Sequence, residues 1–118
     1  MATYVGFAMS DSMFTEYCTI ERSVLHEMDL KSLLKEEYVS CCNPSHVATI
    51  SAIKARYGID LHIPEKPNSV KLAHGDYLVV IAVVGLPRLT DRHEYTESEI
   101  QRATFRFGMY AITEVLNG

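Results

Sequence analysis

Two hydrophobic periods run through this chain, one suited to strands and one to helices, and together they lay out its predicted elements. Tyr4–Met9 is a short apolar run that predicts a first strand, closed by the polar turn Ser10-Asp11-Ser12. Tyr17–Leu25, with its β-branched and aromatic residues, predicts a second strand, and His26 stands at its end. Asp29 is placed to cap a short helix containing Leu30, Leu33 and Leu34. A clearer helix opens at Asn43-Pro44-Ser45 and ends at Gly58, with Val47, Ile50, Ile53 and Tyr57 as its apolar stripe. Beyond a loop marked by Pro64 and Pro67, Ser69–Leu72 predicts a short strand and Ala73–Asp76 a turn. Tyr77–Val84 is apolar almost throughout, as a central strand requires, and Gly85 and Pro87 end it. Thr96 and Glu99 form a capping box for a short helix, and a strand across Gly108 follows within Phe105–Leu116.

These elements predict one small α/β or α+β domain over residues 1–118, with a mixed sheet of about five strands flanked by two or three helices. Such a sheet needs cover, and a second subunit is one way to supply it.

Charge and composition then narrow the partners. A formal net charge of −4 leaves no broad basic surface for long nucleic acid, although a few local donors suffice for a small anion. No apolar run is long enough to cross a membrane, and no secretory leader follows Met1, which predicts a soluble intracellular protein. Among three cysteines, Cys41 and Cys42 are adjacent, so neither a disulfide framework nor a zinc knuckle is expected. Phosphate-loop and dinucleotide glycine motifs are absent, and the five histidines lack His-Glu-x-x-His spacing. No metal and no cofactor is expected.

The candidate chemistry gathers around His46, Arg88 and Asp91. His46 falls in the first turn of the predicted helix, where backbone donors favour an anion, and its ring can transfer a proton near neutral pH. Arg88, just past the central strand, offers a paired donor fork to phosphate. Asp91 can orient a hydroxyl, while Ser10, Asp11, Ser12 and Arg92 are further ligand-contact candidates. Each of these residues alone also fits a structural role: turn stabilisation, a surface ion pair or loop capping. Together they fit RNA phosphodiester cleavage, in which the 2′-hydroxyl attacks the adjacent phosphorus and the protein aligns, neutralises and protonates.

Four segments carry a resemblance. Tyr4–Phe14, Ser45-His46-Val47-Ala48-Thr49, Val70–Val80, and Arg88-Leu89 with Thr96–Ile100 resemble, in this order, segments of the small viral anti-CRISPR ring-nuclease family. The likeness covers most of residues 4–115. It implies metal-independent cleavage of cyclic tetra-adenylate to linear di-adenylates with 2′,3′-cyclic phosphate ends, suppressing type III CRISPR signalling. It further implies a homodimer acting in the cytoplasm of an infected host cell, with the ring near the subunit interface. On this mapping His46 falls on the catalytic histidine, Arg88 on the active-site arginine, Asp91 on a glutamate position and Ser10 on a ligand contact. Phe7 departs from the family's usual asparagine, Pro44-Ser45 from a glycine-containing approach, and Asp91 is shorter than glutamate. Two other functions stay open: sequestration of a cyclic nucleotide without cleavage, and a structural or protein-interaction role.

Overall fold

The computed structural model describes residues 2–7, 9, 11–14, 17–42, 46–65, 70–84, 96–101 and 103–115. Five strands, β1 (Thr3–Gly6), β2 (Cys18–Leu25), β3 (Val39–Ser40), β4 (Tyr77–Val84) and β5 (Thr104–Val115), form one sheet in the order β2-β5-β4-β1-β3. Three helices among the described residues, α1 (Glu27–Leu34), α2 (Val47–Tyr57) and α3 (Glu97–Gln101), complete the α+β domain, with a 3-10 turn at Asp11–Met13. The sheet is mixed. β1 lies parallel to both β3 and β4, while β5 runs antiparallel to β4 and β2.

The side-chain alternation of the strands sorts the core into two layers. Val5, Val79, Ile81, Phe105 and Phe107 face the helices and pack with Leu30 of α1, Ile50 and Ile53 of α2, and Ile100 of α3. On the opposite face Leu78 and Ile112 meet Leu72, with Tyr4, Met13 and Phe14 against them, in a smaller cluster. β4 occupies the middle of the sheet, as its apolar run predicts.

Several boundaries differ from the sequence reading, each for a local reason. β1 ends at Gly6, and Phe7 has already left the sheet. Helix α1 begins two residues before Asp29, with His26 as the cap; Asp29 instead accepts a hydrogen bond from the His26 N–H at 3.2 Å. Residues 70–72 form no strand. Leu72 is buried there by packing on the back of the sheet, and its N–H donates to the Met13 carbonyl at 2.7 Å. Val47, assigned to the apolar stripe, is 53% exposed, whereas Ile50 and Ile53 are buried.

The punctuation of the elements follows the sequence closely. Gly58 ends α2 with φ +72°, a left-handed conformation that costs a residue with a Cβ. The buried Asp76 carboxylate accepts from the Ala2 and Ala73 N–H groups, both at 2.9 Å, tying the turn before β4 to the start of β1. At α3 the Glu99 N–H donates to the Thr96 hydroxyl at 3.2 Å, and the Thr96 N–H donates to the Glu99 carboxylate at 2.9 Å. Thr96→Ala should therefore lower stability by about 1 kcal/mol, read from denaturant unfolding. An unchanged midpoint would mean that the box contributes nothing.

Candidate functional site

β1 and β3 are adjacent and parallel, so the chain segments that follow them leave from the same edge of the sheet. That edge, at the carboxyl ends of parallel strands, is where open sheets place their ligands. Phe7 follows β1 directly, and His46 lies beyond β3 at the N-terminus of α2. The two rings meet there, with centroids 4.6 Å apart and planes inclined by 40°.

The junction between the strands is close. The Cys41 N–H donates to the Val5 carbonyl at 2.7 Å, carrying the pairing one step past β3. A Cβ on Gly6 would stand 3.2 Å from the Cys41 Cβ, a tighter approach than side chains ordinarily tolerate. The Ser40 hydroxyl donates to the His62 carbonyl at 2.6 Å and accepts from the Cys42 N–H at 3.3 Å. These bonds hold the segment leading toward His46 against the core.

His46 itself sits at the cap position, one residue earlier than the first-turn placement read from sequence. Its φ and ψ are −98° and 15°, and its side chain does not form the capping hydrogen bond. The imidazole is half-buried, with Nδ1 shielded from solvent. A shielded nitrogen exchanges no proton with an incoming molecule, so Nε2 is the nitrogen suited to that work. The helix N-terminus beside it contributes a positive field.

Of the other predicted site residues, Ser12 is exposed within the Asp11–Met13 turn, and Asp11 is described by its backbone alone. Ser10, Arg88, Asp91 and Arg92 lie outside the described residues, as do Asn43, Pro44 and Ser45. Val84, the last residue of β4, precedes Arg88 by a short stretch of sequence. The contact missed from sequence is Phe7 with His46. In sequence Phe7 is a departure from a pattern, and only the parallel neighbours β1 and β3 bring it to the imidazole.

The adjacent cysteines have a structural environment. Burial pushes the Cys42 thiol above its ordinary value of 9.0, opposed by the hydrogen bond with Ser40. Burial also raises Cys41, with the neighbouring Cys42 adding to the shift and the Val5 contact opposing it. Both neutral thiols are thus favoured in the folded state. Their contribution to stability is complete below pH 9 and is lost as pH rises through the raised folded values. At pH 8 iodoacetamide should modify Cys42, which is 1% exposed, at least about tenfold more slowly than in the urea-unfolded chain. Equal rates would contradict this placement.

Among the described residues no three His, Cys, Asp or Glu side chains gather as a metal-ion cage, and no helix is long and apolar enough to cross a membrane. Two open clefts, of about 330 and 370 Å³, lie beside Lys31 and Lys35 and beside Tyr57 and Phe105 respectively. Neither is lined by Phe7 or His46.

No protein-family model and no curated protein matches the chain. Among solved structures it is similar to B116 of Sulfolobus turreted icosahedral virus, with a TM-score of 0.65 and 22% identity, over 94% of this chain and 99% of that one. At this identity the likeness is one of fold.

Proposed function

We propose that the protein is a metal-independent ring nuclease that opens cyclic tetra-adenylate, thereby suppressing type III CRISPR signalling in an infected host cell. The observation that carries this reading is His46: a half-buried imidazole with Nδ1 turned inward, at the N-terminus of α2 and the carboxyl edge of parallel strands. The viral source of B116, which shares the fold, accords with the setting.

In the proposed reaction a ribose 2′-oxygen attacks its neighbouring phosphorus while the P–O5′ bond breaks. Asp91 orients the 2′-hydroxyl and accepts its proton. Arg88 neutralises the charge that builds on the phosphoryl oxygens, and His46 Nε2–H protonates the departing 5′-oxygen. The product ends in a 2′,3′-cyclic phosphate. Two such cleavages of a symmetric ring call for two copies of the site, and a homodimer supplies them. Exposed Ile20 and Val24 on β2 support self-association.

The test is incubation of the protein with cyclic tetra-adenylate in a chelator, followed by product separation and solution mass measurement. Linear di-adenylates with cyclic phosphate ends, released by a dimer, are expected. Arg88→Ala should weaken binding and slow turnover, and Asp91→Asn should slow the chemical step. A strict need for added divalent metal would overturn the mechanism. So would efficient cleavage of a deoxyribose ring, which lacks the nucleophile. A ring bound but recovered intact would make the protein a sequestering module.

A further inference from the structure

We infer that Phe7 is a positioning residue for His46, a wall that restricts the imidazole and keeps Nδ1 inward. The contact itself is independent of the reaction; its kinetic consequence rests on the ring-cleavage reading above.

An imidazole turns easily about its last side-chain torsion, whose energy wells are broad. A histidine that must deliver a proton therefore needs something beside it to restrict that torsion. Phe7 is placed to do so. Its ring lies 4.6 Å from that of His46, centroid to centroid, and is itself packed against the main core. The place of Phe7 is set in turn by Gly6, whose missing Cβ lets β1 close onto Cys41. The wall is therefore anchored in the sheet, while the imidazole it supports stands at the start of a helix. With Nδ1 shielded, restricting the ring fixes which nitrogen is kept from solvent.

A side chain serving only as core filler could be exchanged for another apolar group of similar bulk without effect on the imidazole. Phe7→Leu keeps apolar bulk and removes the flat face, whereas Phe7→Tyr keeps the face. Both should fold, and three readouts on each separate positioning from packing: affinity for cyclic tetra-adenylate, single-turnover cleavage, and the tautomer of His46 from side-chain ¹⁵N spectra. Phe7→Leu should slow single-turnover cleavage by about 10- to 100-fold at nearly unchanged affinity, the scale expected for a misplaced catalytic group. It should also mix the His46 tautomers. Phe7→Tyr should restore both toward the parental protein. Parental cleavage by Phe7→Leu with a parental tautomer would overturn the assignment. If the unmodified protein cleaves no ring, the ring-nuclease reading fails on its own. The ¹⁵N spectra then decide the role of Phe7: a mixed tautomer in Phe7→Leu upholds it, and an unchanged one removes it.

Discussion

His46→Ala should slow single-turnover cleavage of cyclic tetra-adenylate by about 10²–10⁴-fold while leaving most of the affinity in place, the usual effect of losing a general acid. The split follows from where the side chain stands. His46 occupies the cap position of α2 without making the capping hydrogen bond, so its removal costs the helix no side-chain cap. Arg88, in the proposed mechanism, still holds phosphate. What disappears is the proton for the departing oxygen. Residual cleavage is expected, because aligning the 2′-hydroxyl needs no imidazole. Dimer state, affinity and single-turnover rate should be measured on one preparation. Parental kinetics in a folded, binding variant would remove His46 from the chemistry.

Ile53→Ala carries the largest expected cost to the fold. Ile53 is fully buried on α2 and belongs to the cluster that joins the three helices to the sheet. Truncation removes its transfer energy and leaves a cavity, together about 2–5 kcal/mol. Against a total of about 5–15 kcal/mol for a domain, that is a large fraction. The urea midpoint should fall while the dependence on denaturant keeps its slope. Val47→Ala on the same helix is the control: with Val47 53% exposed, its effect should stay within about 0.5 kcal/mol. Equal effects at the two positions would mean that α2 packs differently.

That pair of residues also shows how far periodicity reaches. Val47 and Ile53 both fit the helical apolar stripe, yet only Ile53 meets the core; Val47 points outward from a turn whose Thr49 and Ile50 are buried. Signals that depend on neighbouring residues were readable: the apolar run of β4, the left-handed Gly58, and the exchange between Thr96 and Glu99. Elements created by distant partners were not. The two residues of β3 become a strand because β1 lies beside them, with Tyr4 opposite Val39 and Val5 opposite Ser40. Val70 and Leu72 look like strand residues, but their apolar character serves packing against the back of the sheet. The helix start marks His46 as a candidate in sequence, whereas its contact with Phe7 depends on strand order.

The order of strands has a consequence for the timing of folding. β2 has its ladder with β5, pairing Cys18 with Val115 at one end and Leu25 with Phe107 at the other. β4 takes β5 as its antiparallel neighbour as well. A strand made early must therefore wait, without its sheet partner, until nearly the whole chain described here has been synthesised. Pairings so far apart in sequence carry a high entropic cost of closure and slow the search for the native topology. Meanwhile β2 presents Ile20 and Val24 on an open edge, the kind of segment that pairs with other chains when its own partner is late. Chains truncated before Thr104 should consequently accumulate as aggregates, whereas chains extending through Val115 can close both ladders at once.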